Sequence, residues 1–540
     1  MTMATAQYGR GSAWQALRRH FLASPLYGLT LAGAAPRELR MVPRDPWPGE
    51  SSRGEELLRD EAGMSSAFLR GSAETDPLRL AWMHGFGWLR DLRAVGGDEA
   101  RRAAREMVAT WILEHERWSE VPWRPDVTGA RITAWLGNHD FFAASADDFF
   151  RGELRQSLAR QARHLTRSIR RSPAGVARLN AIHGMLAAGV AFPDGESRLG
   201  QALKLLVREL PLQVLADGGH IERSPRVQLE ALRRLIEIRT MLRAGRRDVP
   251  DALDAAIERM APMLRFFRHG DGGLALFNDS VEEEGWAIDL VLTQADAKGR
   301  PGVSAPETGF ERLVANRTIV IMDAGPPAPA GVDAAAHAGT LAFEMSVGKE
   351  RLIVNCGVNR LGGTAWRQAQ RATAAHSTVT IADTSSAEAF PEGGLGRRPL
   401  DVSVMRQEEG GNIWVEASHD GWRDTHGVIH RRRLWLSAAG DDFRGADTLI
   451  GGAGTPFVVR FHLHPRVTAS LIQEGAAVMV RLPSGAGWRV RATGGKIGLA
   501  ESIYLGERGI QKRTEQITVE GEIAAGGTQV KWAFQALPKR

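Results

Sequence analysis

The stretch DGGHIERSP, residues 217–225, holds the most chemistry for its length. Asp217-Gly218-Gly219 ends one helical pattern and Ser224-Pro225 opens the next. Between them His220 and Glu222 stand two apart, and in an extended piece such residues face the same side. An imidazole and a carboxylate so placed can take and return a proton. In a capped loop Glu222 could instead pair with a nearby arginine, and the residue types leave both readings open. Asn180 and His183 are three apart and so share one helix face. They could act as donors toward an acidic group, although a buried pair satisfied by the backbone is the commoner outcome. His337, Asn355 and His376 fall at the ends of successive strand patterns and could converge on zinc, which favours imidazole nitrogen. His462 and His464 read as a polar sheet surface beside Arg460, and Arg431-Arg432-Arg433 as a solvated basic turn or strand edge. Phosphate loops, dinucleotide fingerprints, HExxH and a serine nucleophile elbow are all missing, so nucleotide-dependent chemistry has no support.

Two textures must position these groups. From about 75 to 270 apolar residues recur at three- and four-residue spacing, over roughly 76–96, 98–118, 147–171, 174–190, 197–216, 225–244 and 249–268. Short breaks between antiparallel helices predict a helical bundle or toroid. From about 310 onward short alternating segments are punctuated by Gly, Asp and Pro, which predicts an antiparallel sandwich or barrel. The expected organisation is an N-terminal extension over 1–74, a helical domain over 75–300 and a β-domain over 301–540, with the join near 270–285.

Composition narrows the class. The chain has 540 residues, 43% apolar and 24% charged, as in ordinary globular proteins. Its one cysteine, Cys356, excludes an intramolecular disulfide and a cysteine-based zinc cluster. Of 69 basic residues 62 are arginine, which reflects either coding bias or a surface suited to carboxylate, sulfate or phosphate. No uncharged apolar run reaches the length of a membrane span. A nucleic-acid partner is not expected, because no wide basic patch carries stacking aromatics. Fifteen tryptophans contrast with three tyrosines, Tyr8, Tyr27 and Tyr504. Arg18-Arg19-His20-Phe21-Leu22 resembles a twin-arginine export signal, with Ala32-Gly33-Ala34 as a cleavage site; the other reading is a helix and turn on the first domain.

DGGHIERSP, HAGTLAFEMSVGKERLIVNCG over 337–357 and RATAAHSTV over 371–379 together resemble the heparinase II/III family. So does Asp45-Pro46-Trp47-Pro48-Gly49, which is similar to a subgroup of it. The resemblance implies an (α/α) toroid followed by an antiparallel β-sandwich. It also implies β-elimination on a uronic-acid polysaccharide. Asn or His donors neutralise the substrate carboxylate, a base removes the C5 proton and an acid protonates the O4 leaving group. In the family tyrosine and histidine do the proton transfers, and a zinc ion supports the site.

Several positions depart from the family pattern. In E-x-S-P-x-Y, Glu222, Ser224 and Pro225 match, but the tyrosine position is Val227. Asn180 is followed by Ala181, with His183 displaced from the usual Asn-His pair. In H-A-D-A-L-S-F, His337 matches and Gly339 replaces the aspartate; the zinc-ligating aspartate falls at Asn355, while His376 matches. With the family tyrosine absent, catalysis is expected from His220, Glu222, Asn180 and His183. Substrate contacts are expected from Arg223, one helical turn before Val227, and from His337, Trp82 and His84, and the resemblance implies a structural zinc at His337, His376 and Asn355. The expected function is a lyase with a substituted acid–base pair. The alternative is a non-catalytic protein that binds an acidic polysaccharide on the same scaffold. Hydrolysis by Glu222 with Glu282, Glu283 or Glu284 is a third possibility. Family resemblance implies the cell envelope or periplasm, and a cytoplasmic location is the alternative.

Overall fold

The computed structural model describes residues 14, 16–60, 76–360 and 362–538; the remainder of the extension expected over 1–74 lies outside the described residues. Two compact units emerge. One combines Met1–Leu210 with Arg234–Asp254, and the other combines Pro211–Arg233 with Ala255–Arg540.

The first unit is helical. Its longer helices are Gly97–Glu114, Asp148–Ser168 and Val176–Ala191, close to the expected segments. Capping explains several boundaries. Asp76 accepts from the Leu78 amide ahead of Pro77, and Asp147 accepts from the Phe150 amide. The segment expected over 76–96 is two helices, Pro77–Gly85 and Leu89–Val95. Phe86, at φ 58°, breaks them, and its ring is buried against Trp88 and Trp135. Helix Pro125–Gly137 is an element that the periodicity does not announce. It is buried almost all round, so no polar stripe marks it. Its Gly129 meets Gly184 of Val176–Ala191 backbone to backbone: a Cβ on Gly129 would lie 2.3 Å from the Asn180 carbonyl oxygen.

The second unit contains an antiparallel β-sandwich. One sheet runs, in hydrogen-bonded order, Ser304–Ala305, Phe310–Ala315, Thr318–Asp323, Phe343–Val347, Glu350–Val354, Pro456–Leu463, Lys512–Glu522 and Lys496–Tyr504, with Val379–Ile381 paired to Pro456–Leu463. The other runs Thr468–Ile472, Ala477–Arg481, Gly487–Thr493, Thr528–Ala536, Asp442–Ile450, Val428–Leu436, Asn412–Trp422 and Val402–Glu409. Their facing side chains form one core that includes Phe343, Phe443, Phe461, Leu434 and Trp532. The fold class is thus helices followed by an antiparallel β-sandwich.

Two local expectations change. The Arg431–Arg433 run lies inside strand Val428–Leu436, where alternation sends Arg432 inward and leaves Arg431 and Arg433 exposed. Arg432 is fully buried and paired with Asp447, which also accepts from His430 and Trp532. His462 and His464 are buried rather than surface groups. Among the described residues no helix is long and apolar enough to cross a membrane.

Candidate functional site

DGGHIERSP belongs to the second unit. Asp217 anchors its turn: one carboxylate oxygen accepts from the Gly219 amide and the Thr308 hydroxyl, and the other from the Thr308 amide. Gly218, at φ +86°, could not carry a Cβ, which would sit 2.0 Å from the Arg259 carbonyl oxygen. Ser224 Oγ accepts from the Val227 amide, which starts helix Pro225–Ala244.

His220 is 1% exposed. Its backbone amide donates to Gln228 Oε1 at 2.7 Å, and its Nδ1 accepts from the Glu222 amide. Nε2 therefore carries the proton and donates to Gln213 Oε1 at 3.1 Å. Burial pushes its pKa down to about 4, against a smaller opposing pull from Glu230. The Glu222 carboxylate lies 4.0 Å from His220 Nδ1, beyond a hydrogen bond. The Arg223 backbone is in the left-handed region, at φ 54°. Its guanidinium donates to the Thr308 and Gly309 carbonyls and to Asp323 Oδ1 at 2.5 Å, and lies over the Phe310 ring. Burial raises the Asp323 pKa and Arg223 opposes it. Val227 is fully buried.

The stretch expected as the join near 270–285 ties this turn to the strand motif, through two residues that the sequence reading did not single out. The Asn278 side chain donates to the Arg223 carbonyl at 2.8 Å and accepts from the His337 amide at 3.0 Å. The Asp279 amide donates to His337 Nε2 at 3.1 Å. Asn278 and Asp279 both have positive φ, 47° and 64°. An Asn-Asp pair tolerates that conformation, and this was the one signal available in the sequence. Arg226, also missed, holds Asp279 and Glu230.

His337 and His376 do come together. Because Nε2 of His337 accepts a backbone N–H, its Nδ1 carries the proton and donates to His376 Nε2 at 3.1 Å. His376 Nδ1 in turn donates to the Ala372 carbonyl. All four ring nitrogens are therefore committed. Asn355 Oδ1 accepts from the Ser377 amide, and its Nδ2 is buried without a hydrogen-bond partner. A Cβ on Gly339 would lie 2.8 Å from the His376 ring. A zinc ion held by two imidazoles also needs anionic oxygen, and the two aspartate positions of the pattern are Gly339 and the neutral amide Asn355, so the residues present do not fit the family's metal.

Asn180, His183, Trp82 and His84 belong to the first unit. Asn180 Oδ1 accepts from Arg234 at 2.6 Å, and Arg234 also binds Glu237. The second Glu237 oxygen accepts from Trp47 of the Asp45–Gly49 motif, and His183 Nδ1 lies 3.3 Å from the first. Burial pushes the His183 pKa down to about 4. His84 accepts from Trp111 and is buried, whereas Trp82 is 43% exposed.

The family model described as heparinase II/III N-terminus matches residues 105–295, and the one described as heparinase II/III-like, C-terminal, matches 297–533. The chain belongs to the heparinase II/III-like family. FtsZ-localized protein C of Caulobacter vibrioides is 33% identical over 557 residues, covering 97% of this chain and 96% of that protein. Among solved structures, heparinase III aligns with a TM-score of 0.72 at 15% identity, over 87% of this chain and 79% of that one. A mutant of heparan sulfate lyase HepC from Pedobacter heparinus aligns at 0.61 and 17% identity, over 95% and 88%. At these identities the structural likeness concerns the fold.

Proposed function

We propose that the protein is a non-eliminating member of the heparinase II/III-like family that acts by binding, in association with FtsZ. The observation that carries this reading is the full-length likeness to FtsZ-localized protein C, at 33% identity over 97% of the chain. The state of the expected acid–base groups supports it. His220 is buried with both ring nitrogens in hydrogen bonds, Arg223 is spent on Asp323 and two carbonyls, and the tyrosine position is a buried valine. Valine neither accepts nor donates a proton.

Two measurements test the reading. A fluorescent fusion at the native locus is expected to follow FtsZ and to disperse when FtsZ is depleted. Uniform envelope fluorescence, the location that the lyase resemblance implies, sinks the association. Purified protein is then incubated with heparan, chondroitin, alginate, hyaluronan and bacterial exopolysaccharides. No rise is expected in the ultraviolet absorbance of the C4=C5 double bond. A rise abolished by His220→Ala or Glu222→Ala establishes an elimination enzyme instead.

A further inference from the structure

Away from DGGHIERSP, three segments of the second unit bring together Glu282, His464 and Glu507. Glu282 lies in the loop before helix Gly285–Ala295, His464 follows strand Pro456–Leu463, and Glu507 follows strand Lys496–Tyr504. Each offers one donor atom, and the three atoms lie within 4.8 Å of one another. Bonds of about 2.1 Å place tetrahedral donors about 3.4 Å apart; His464 Nε2 and Glu282 Oε1 already stand at 3.3 Å, and the Glu507 carboxylate closes the set by moving in by up to about 1.4 Å.

The surroundings favour a cation. Glu507 gives one oxygen to Lys512, while its Oε1 is buried with no hydrogen-bond partner and has only the largely exposed Arg466 at 3.9 Å. His464 is buried and edge-on to the Tyr504 ring, with Nε2 3.3 Å from Glu282 Oε1. Tyr504 donates to that same oxygen and orients the carboxylate. Burial would raise the Glu282 pKa, yet His464, Arg351 and Tyr504 hold it at about 2, so it is anionic at neutral pH. Four carboxylates gather here, Glu282, Glu507, Asp271 and Glu344, and the buried or half-buried cations beside them are Arg351 and Lys512. Negative charge remains in excess.

We propose that Glu282, His464 and Glu507 form a divalent metal site, suited to Zn2+ by its one imidazole and two carboxylates. Three protein donors leave coordination positions open to water or an anionic ligand. Binding at Nε2 moves the ring proton of His464 to Nδ1 and gives up the long 3.3 Å bond from the Arg466 amide. The site is separate from His337, His376 and Asn355, and does not depend on the function proposed above.

Full-length protein stripped with EDTA and dialysed is titrated with Zn2+ alone by calorimetry, and its thermal midpoint is read with and without the ion. The expected result is one saturable equivalent and a raised midpoint. Glu507→Gln and His464→Asn are expected to weaken binding by more than about tenfold, as loss of a ligand should. Lys512→Ala breaks the same ion pair but keeps the ligand, and is expected to bind Zn2+ at least as tightly as the parent. Glu284→Gln, next to the site and exposed, is expected to leave binding unchanged. Absence of saturable Zn2+ binding overturns the proposal. So does binding that Glu507→Gln leaves intact, a variant whose half-exposed side chain keeps folding out of the question.

Discussion

Val227 occupies the position at which the family places a proton-transferring tyrosine, and its side chain has no exposure. A phenol there would need space that the core does not offer. Val227→Tyr is expected to lower unfolding stability by about 1–3 kcal/mol, the usual range for overpacking, and to leave polysaccharides intact. Chemical denaturation with the absorbance assay checks both halves; a stable Val227→Tyr that cleaves uronic-acid glycan would show that only the phenol was missing. Arg223 is the second decisive residue. Its guanidinium joins the DGGHIERSP turn to Thr308, Gly309 and Asp323, all buried. Arg223→Ala leaves Asp323 without its counter-charge, and a loss of about 3–5 kcal/mol is expected from a broken buried pair. If the residue instead serves an external ligand, Arg223→Ala folds with little loss and a denaturation curve reveals it.

Between elements, Asn278 is the link that matters most. One amide side chain satisfies the Arg223 carbonyl and the His337 N–H, and it does so from a left-handed backbone. Asn278→Ala is expected to cost about 2 kcal/mol or more, from the two unmet buried groups together with left-handed strain. Asn278→Gly keeps the backbone and loses only the amide, so it is expected to recover about 1 kcal/mol of that. Equal losses in the two variants would remove strain from the account. The same comparison shows what was legible beforehand. Helices with a polar stripe, such as Asp148–Ser168 and Pro225–Ala244, stand where periodicity puts them. Pro125–Gly137 was not legible, because a helix buried all round carries no stripe. The arginine run at 431–433 misled for the opposite reason. Its like charges suggest a solvated turn, but period-two alternation carries Arg432 inward to Asp447. His220, Glu222 and Arg223 could be singled out by spacing alone. Their partners could not: Asn278 and Asp323 lie 55 and 100 residues from Arg223, and Gln213 and Gln228, though only seven and eight residues from His220, have no spacing that marks them as its partners.

Over the whole molecule the buried histidines set how the protein responds to acid. His183, His220 and His376 all have pKa values pushed to about 4 by burial, and so does His164, whose hydrogen bond to the Trp123 carbonyl opposes the shift. His84 and His462 are pushed lower, to about 3. Each ring is held neutral in the fold, whereas in the unfolded chain it titrates near its ordinary value of about 6.5. The unfolded state therefore binds more protons between about pH 6.5 and 4, and stability rises with pH across that window. The stabilisation is complete above about pH 6.5 and is lost progressively as pH falls toward 4. Glu237 and Glu282 extend the loss, because partners hold both at about 2 and their contribution disappears as pH drops below the ordinary carboxylate range. Both groups of residues act in the same direction, while the carboxyls that burial raises, Asp91 and Asp323, act against them on acidification. Urea midpoints measured from pH 7.5 to 4.5 are expected to fall steeply below pH 6.5, by the equivalent of more than one extra proton bound on unfolding. A flat profile down to pH 5 would mean that these imidazoles are charged or hydrated in the folded protein. The interior hydrogen bonds assigned to His183, His220 and His376 would then have to be redrawn.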